Sequence, residues 1–448
     1  MAPFTPTYET RAARVHETLK RWMLVDGFPF VYDAEASHGS ILVDKRNGDE
    51  YLDLFSFFAS MPLSHNHPGL RDEGYRSRLL SAAMVKPSNS DIYTEAMADF
   101  VQTFARTLPD GFEHLFFIEG GALAVENAIK VAFDWKVRKN IAAGRTADEV
   151  TPTLGTRVLH FRGAFHGRTG YTLSLTNSFS PDKIKYFPKF DWPRVSTPGV
   201  RFPLEGDNLA ATLEAEAQSI AEIEQAIARH PHDIAAMIIE TIQGEGGDVH
   251  FRPEFLARLR QLCDEHEILL VFDEVQAGMG ITGKWWAFEH MGVAPDIFCF
   301  GKKSQVCGIA ATRRVDEVDS CFTVPSRINS TWGGNLVDMV RATRYIELIE
   351  EHGLVDNARD VGAYLLEQLR GLEREYGPIS NARGLGLMCA FDLPTSEARD
   401  QLQQLLMKKR ALILPSGSRS LRFRPVLDFS RADVDRTIAT VREAIGEL

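Results

Sequence analysis

The sequence has few cysteines, and they form no pattern that would build a disulfide framework or a metal site. Five cysteines, an odd number, are scattered over 448 residues. Most lie inside apolar runs, which predicts buried, reduced thiols and excludes a small disulfide-stabilised extracellular domain. His65 and His67 have no third ligand nearby in the sequence. We therefore expect a turn there and no metal site.

Long apolar runs and an excess of positive charge are also missing. No apolar stretch approaches the roughly 18 residues that cross a bilayer, and residues 1–11 lack the basic and then apolar layout of a signal peptide. Lys and Arg number 50 against 61 Asp and Glu, a formal net charge of −11, without a long basic run. We therefore expect no membrane and no nucleic-acid partner, and a cytoplasmic location.

The composition, 44% hydrophobic and 25% charged, is that of an ordinary globular protein. We predict an N-terminal arm and small-domain segment over 1–75, a large domain over 76–335 and a C-terminal small domain over 336–448. The first segment contains a predicted hairpin, Ser40–Asp53, around an Asn-Gly turn. The large domain alternates helical patterns with short apolar strands, which predicts the α/β class with a mostly parallel sheet wrapped by helices.

Two neighbouring predicted strands carry functional groups at their carboxyl ends. One apolar run leads to Asp273 and Gln276, and the next leads to Lys302 and Lys303. Ligands of open α/β sheets gather beyond the carboxyl ends of the strands. A lysine that forms a Schiff base and an acid that keeps a pyridine nitrogen protonated suit a pyridoxal phosphate site. An Asp at a buried strand end that only caps a helix is the alternative.

Other strand ends also carry groups that could bind anions. Gly121 and Ala122 begin a predicted helix whose bare N–H groups suit a phosphate, although many such turns are glycine-rich. A later loop carries Phe165 and Arg168, a ring to stack on and a cation for a carboxylate, and a plain surface turn is the alternative.

Carboxylates and arginines of opposite charge follow further along the chain. Glu240 and Glu245 lie just past another predicted strand. Arg422 and Arg424 alternate with apolar residues near the C-terminus, so they share one face of a strand.

Together these motifs resemble the class III pyridoxal-phosphate-dependent aminotransferases, the ω-aminotransferase group of fold type I. The resemblance runs over nearly the whole chain and implies a large domain with a mostly parallel, seven-stranded sheet and a smaller α+β domain. Its motifs, in the family order, are Glu119–Lys130, Ala164–Thr169, Glu240–Asp248, Phe272–Gln276, Gly301–Lys302, Ser330–Asn335 and Leu421–Pro425.

The resemblance implies a role for each cofactor-binding residue. Lys302 is the Schiff-base lysine and proton shuttle, with Lys303 as the alternative. Asp273 pairs with the pyridine nitrogen, and Gln276 bonds the ring hydroxyl. Phe165 stacks on the ring.

The phosphate contacts are implied in the same way. Gly121 and Ala122 donate backbone N–H groups, and Ala122 departs from the family's usual Ser or Thr, so one hydroxyl contact is missing. Thr331, with Ser330 and Asn329 beside it, reaches the phosphate of a neighbouring subunit. A homodimer with a shared active site is therefore expected.

Within the family, several runs are similar to the L-lysine 6-aminotransferases, and 4-aminobutyrate aminotransferases are the nearest alternative. The implied substrates are L-lysine, 2-oxoglutarate and L-glutamate. Arg168 would hold the distal carboxylate of either substrate, and Asn329 would lie near the substrate. Glu245 would mask Arg422 while lysine is bound and release it for an α-carboxylate. Glu240 would either orient Arg422 or serve the structure alone.

A protein that only binds the cofactor is the remaining alternative. Such a protein would be expected to lack the lysine or its acidic partner, and both Lys302 and Asp273 are present. We therefore predict an enzyme.

Overall fold

A computed structural model describes residues 4–448; residues 1–3, with which the predicted N-terminal arm begins, lie outside the described residues. The strands are β1 Ile41–Val43, β2 Glu50–Asp53, β3 Phe112–Ile118, β4 Arg157–Phe161, β5 Arg194–Val195, β6 Ile234–Glu240, β7 Leu269–Asp273, β8 Ile297–Phe300, β9 Cys307–Thr312, β10 Ser380–Leu385, β11 Met388–Asp392, β12 Ala411–Leu412, β13 Leu414–Ser416 and β14 Ser420–Phe423. The helices are α1 Val15–Lys20, α2 Ser56–Ala59, α3 Glu73–Ala83, α4 Glu95–Ala105, α5 Gly121–Ala142, α6 Gly170–Leu175, α7 Gly206–Arg229, α8 Pro253–Glu265, α9 Leu336–Glu351, α10 Leu354–Glu375, α11 Ser396–Lys408 and α12 Arg431–Ile445.

The large sheet has seven strands in the order β3-β9-β8-β7-β6-β4-β5. Strands β5, β4, β6, β7 and β8 are mutually parallel, and only β9 runs against its neighbours on both sides. The predicted α/β class with a mostly parallel sheet is confirmed. Strand β9 was not predicted from the sequence. Its residues, Cys-Gly-Ile-Ala-Ala-Thr, are mostly small, whereas branched and aromatic residues are the ones that indicate a strand.

The central strands are apolar because helices cover both faces of the sheet. Every residue of β6, β7 and β8 is buried. Alternate side chains enter different cores: Val271 packs with α5 residues such as Ala128, whereas Phe272 packs with α8 residues such as Leu259. The near-continuous apolar runs of the sequence follow from this two-sided burial.

Two smaller sheets lie outside the seven-stranded sheet. One has the order β1-β2-β12 and includes the predicted hairpin, so the first and last parts of the chain share a sheet. The other has the order β10-β11-β14-β13 and is antiparallel throughout. Its core residues pack with those of α10, α11 and α12.

The register of the large sheet aligns the functional strand ends. Glu240 at the end of β6 pairs with Asp273 at the end of β7, which pairs in turn with Cys299 of β8. Lys302 follows β8 directly after one glycine. Strand order thus brings groups that are far apart in sequence to one edge. Within residues 4–448, no helix is long and apolar enough to cross a membrane.

Candidate active site

A cleft of about 600 Å³ lies at this edge, between the large sheet and β14. It is lined by most of the residues predicted from the sequence, namely Gly121, Ala122, Phe165, Arg168, Glu245, Asp273, Gln276, Lys302 and Arg422. Glu240 also lines it, and Phe58, His166, Lys183, Cys307 and Arg424 complete the functional part of its wall. Asn329, Ser330 and Thr331 are not among the lining residues.

Asp273 is held in place by a histidine that the sequence reading assigned no role. Its Oδ2 lies 2.8 Å from Nδ1 of buried His166, and its Oδ1 accepts the N–H of Val275 at 3.1 Å. Burial lowers the pKa of His166, but the hydrogen bond and charge of Asp273 and the charge of Glu240 outweigh it, so the pKa is raised. His166 is therefore a positioning residue that fixes the orientation of the Asp273 carboxylate. Its place beside Phe165 in the predicted loop was the available signal.

Of the two adjacent lysines, only Lys302 reaches the cleft. Within residues 4–448 its Nζ makes no hydrogen bond and no ion pair, and burial, reinforced by the charge of Arg422, lowers its pKa. A lowered pKa favours the neutral, nucleophilic amine. Lys303 is 2% exposed, and its Nζ donates to the carbonyl of Ala59 at 2.9 Å. This contact makes Lys303 a structural residue.

The segment that Lys303 anchors has an unusual backbone. The four residues of α2 all have positive φ, between 40° and 67°, a conformation that costs a non-glycine residue about 1–2 kcal/mol. Asp53 accepts the N–H groups of Phe55 and Ser56 at 3.0 and 2.8 Å. The hydroxyl of Ser56 donates to the carbonyl of Arg424 at 2.6 Å. These bonds hold the strained turn, which places Phe58 in the cleft wall.

The start of α5 presents unpaired backbone donors to the cleft. Gly120 caps the helix with φ 110° and no side-chain hydrogen bond. Because the first helical bond runs from Ala124 N–H to the carbonyl of Gly120, the N–H groups of Gly121 and Ala122 precede the helical ladder. Donors at the positive end of a helix dipole suit a phosphate.

Glu240 accepts hydrogen bonds from the backbone of two loops at the cleft. Its Oε1 accepts the N–H of Phe165 at 2.9 Å, and its Oε2 accepts the N–H of Gly244 at 3.0 Å. Burial raises the pKa of Glu240 to about 7, against the opposing charge of His166. Of the two roles considered from the sequence, these bonds support the structural one. A Cβ at Gly244 would lie 2.2 Å from Oε1 of Gln276, so a larger residue there would displace the Gln276 side chain.

The two arginines of β14 and its end have different partners. Arg424, 1% exposed, donates to both carboxylate oxygens of Asp248, at 2.8 and 2.5 Å. Arg422 makes one contact to Glu245, between Nη2 and Oε2 at 3.3 Å, and its Nη1 donates to Gln276 at 3.1 Å. The Nε of Arg422 is buried, and among the described residues it has no partner.

The donor set of the cleft fits pyridoxal phosphate. A buried, orientated carboxylate suits a pyridinium nitrogen, a lysine with an unpaired amine suits a carbonyl carbon, and helix N–H groups suit a phosphate. Phe165 offers an aromatic face beside them. A mostly parallel sheet with such a cleft beyond its strand ends is the architecture of a pyridoxal-phosphate-dependent transferase.

Comparison with known proteins agrees with this class. The family model Aminotransferase class-III matches residues 24–445. An L-lysine-epsilon aminotransferase of Mycobacterium tuberculosis is 54% identical over 440 residues, covering 97% of this chain and 96% of that protein. A solved lysine aminotransferase of M. tuberculosis in the internal aldimine form is 53% identical, with a TM-score of 0.94, covering 98% and 100% of the two chains. A probable mitochondrial 4-aminobutyrate aminotransferase of Caenorhabditis elegans is 32% identical, covering 91% and 86%.

The chain belongs to the class III aminotransferases, and it is a pyridoxal-phosphate-dependent enzyme. The fold class and cofactor predicted from the sequence are confirmed.

The two lysines provide a direct test of the site. Lys302→Ala should abolish the absorption band of the lysine-linked cofactor, because no other amine reaches the cleft wall from this segment. Lys303→Met, which keeps the buried volume, should retain the band and lose thermal stability, because the carbonyl of Ala59 loses its donor. Absorption spectra and melting curves of both purified variants provide the measurement. Loss of the band in Lys303→Met with retention in Lys302→Ala would reverse the assignment.

Proposed function

We propose that this enzyme transfers the ε-amino group of L-lysine to 2-oxoglutarate. The products are L-glutamate and 2-aminoadipate 6-semialdehyde, which cyclises to piperideine-6-carboxylate. Lysine is proposed as the amine donor because of a difference in sequence identity: the chain is 54% identical to an enzyme named for lysine and 32% identical to one named for 4-aminobutyrate. Transfer to 4-aminobutyrate or another ω-amino acid is the alternative.

In the proposed mechanism, bound pyridoxal phosphate supplies a carbonyl that takes up the substrate amine and a protonated ring that accepts electrons. Asp273, fixed by His166, holds the proton on the ring nitrogen. Gln276 and Phe165, which line the cleft, would hold the ring hydroxyl and the ring face.

Lys302 and the helix start complete the proposed cofactor contacts. The Nζ of Lys302 holds the cofactor between turnovers and then carries the proton that moves during amine transfer. Its lowered pKa supports this role, because a neutral amine can accept a proton. Gly121 and Ala122 donate backbone N–H groups to the phosphate.

The two substrates place opposite demands on Arg422. In the lysine half-reaction the reacting end carries no carboxylate, so an unpaired guanidinium there is unfavourable. In the 2-oxoglutarate half-reaction an α-carboxylate needs a cationic partner. We propose that Glu245 masks Arg422 by pairing with it in the lysine half-reaction, and that it moves away from Arg422 in the 2-oxoglutarate half-reaction. Exposed Arg168 at the cleft then grips the distal carboxylate in both.

We further propose a homodimer in which Ser330 and Thr331 contact the phosphate of the partner's site, with Asn329 near the substrate. Asn329 and Thr331 are exposed in the single chain and point to a surface role. Large apolar side chains are exposed on neighbouring segments: Met84, Val85, Ile92, Tyr93 and Trp332. The hydroxyl of Ser90 donates to the carbonyl of Ser330, which joins the two segments. An exposed apolar patch of this kind favours an interface.

Domain division and location are part of the same proposal. Sheet membership supports a large domain within 76–335, because all seven strands of the large sheet lie there. The segments 1–75 and 336–448 contribute the two smaller sheets. Five unpaired cysteines, none of them exposed, support a reducing, cytoplasmic location.

The donor is tested by product analysis. Incubation of the holoenzyme with 2-oxoglutarate and lysine should give glutamate and piperideine-6-carboxylate in equal amounts, both detected by mass spectrometry. The parallel reaction with 4-aminobutyrate should be slower by about tenfold or more in kcat/KM, because an alternative donor loses binding contacts. Turnover of 4-aminobutyrate without turnover of lysine would refute the lysine assignment.

The masking role of Glu245 is tested by separating the half-reactions. Glu245→Ala should slow the lysine half-reaction by about tenfold or more, because Arg422 is left as a buried, unpaired charge. The glutamate half-reaction should change far less, since its α-carboxylate pairs with Arg422. Single-turnover absorption measurements with each amine provide both rates. Equal losses would contradict the mask.

The dimer is tested at its proposed interface. Ile92→Asp should convert the dimer to a monomer and weaken cofactor affinity by about tenfold, because a buried charge opposes association and the partner's Thr331 is removed from the phosphate. Leu213→Asp, on exposed α7, is the matched control and should change neither. Analytical ultracentrifugation and cofactor titration provide the measurements. A native enzyme that sediments as an active monomer would exclude this interface.

A further inference from the structure

Glu245 contacts cations on two different parts of the chain. Its Oε2 faces Arg422 on β14, at 3.3 Å. Its Oε1 accepts a hydrogen bond from Nζ of Lys183, which ends the short helical turn Pro181–Lys183. Lys183 also lines the cleft, and its Nζ lies 5.7 Å from the centre of the Phe165 ring. Lys183 lies in the segment 178–206, which is rich in proline and phenylalanine; its sequence left open whether it is a lid or an interface segment.

The two contacts of Glu245 are unequal. Glu245 accepts one long hydrogen bond from Arg422, and another N–H group of Arg422 donates to Gln276. Lys183 has Glu245 as its only acidic partner among the described residues. Glu245 thus divides its two carboxylate oxygens between two cations, Arg422 and Lys183.

Glu245 needs a second cationic partner when it no longer pairs with Arg422. When a substrate carboxylate takes Arg422, Glu245 loses a cation while it remains in a partly buried cleft, with 22% of its side chain exposed. A charge left without a partner in such surroundings would oppose the exchange. Lys183 already holds the other oxygen of the same carboxylate. Glu245 can therefore give up Arg422 without becoming unpaired.

We propose that Lys183 is a specificity-determining residue that retains Glu245 while a substrate α-carboxylate occupies Arg422. The proposal rests on the masking role of Glu245 described above. Its consequence is directional. Lys183 lowers the barrier to binding of a dicarboxylate and affects the lysine half-reaction less, because Arg422 remains masked in that half-reaction.

The test removes the charge of Lys183 and keeps most of its length. In Lys183→Met, the KM for 2-oxoglutarate should rise by about tenfold, the loss expected for one charge-assisted contact. The single-turnover rate with lysine should fall by a smaller factor than the affinity for 2-oxoglutarate, because Glu245 still masks Arg422 in that half-reaction. Lys183→Arg should restore most of the 2-oxoglutarate affinity. Lys185→Met is the matched control, because Lys185 lies on the same segment and, among residues 4–448, forms an ion pair only with Asp182.

A binding measurement gives a readout that is independent of turnover. Glutarate has two carboxylates and no reactive carbonyl, so its dissociation constant from the holoenzyme reports binding at Arg168 and Arg422 without turnover. Lys183→Met should weaken glutarate binding by about tenfold and leave the binding of pentanoate, which has one carboxylate, unchanged. Equal weakening of both ligands, or equal losses in both half-reactions, would overturn the proposal in favour of a purely structural lysine.

A double variant separates action through Glu245 from direct contact with substrate. In a Glu245→Ala background, Lys183→Met should have no further effect on glutarate binding, because Lys183 acts through the carboxylate that is missing. A full additional loss would show that Lys183 binds substrate itself and would overturn the proposal. The glutarate measurement needs no lysine turnover. A failure of the lysine assignment is therefore distinguishable from a failure of this inference.

Discussion

The active-site cleft depends on one buried ion pair, Arg424 with Asp248. Arg424 follows β14 of the smaller sheet, and Asp248 lies in the loop after β6 of the large one. The guanidinium bonds both oxygens of Asp248 and also donates to Gln276 beyond β7. With both partners 1% exposed, neither charge can be left unpaired without a large loss of stability. The pair therefore fixes the distance between the two walls of the cleft.

The pairing of Arg424 with Asp248 leaves the neighbouring Arg422 with weaker contacts. Arg422 shares its strand face with Arg424 and shares the acceptor Gln276. Because Arg424 occupies Asp248 completely, Arg422 is left with one long contact to Glu245. Burial and the charge of Arg424 lower the pKa of Arg422, which reflects an unfavourable place for a cation. The charge of the Arg422 guanidinium is therefore incompletely compensated within the chain.

The residues of the site that lie at strand ends could be predicted from the sequence. Fewer of the residues whose position depends on packing between segments could be predicted. Asp273 and Lys302 could be found because buried strands are apolar and a polar group at their end is conspicuous. The resemblance to a family then placed Arg168, Glu245 and Arg422 together. The contact of Lys183 with Glu245 had no comparable signal, and that of His166 with Asp273 had only the position of His166 beside Phe165, because the partner of each is distant in sequence. The choice between Lys302 and Lys303 rested on family likeness until the bond from Lys303 to Ala59 gave it a physical reason.

The sequence by itself determined the α/β class, the mostly parallel sheet, the family and the cofactor. It could do so because strand periodicity, strand-end chemistry and motif order are local properties of the chain. Only the tertiary structure decided which lysine enters the cleft, what fixes Asp273 and which cations share Glu245. These outcomes depend on contacts between residues separated by 62 positions for Lys183 with Glu245 and by 107 for His166 with Asp273. No local pattern records such contacts, since they exist only after the strands have paired and the two walls of the cleft have closed on Arg424 and Asp248.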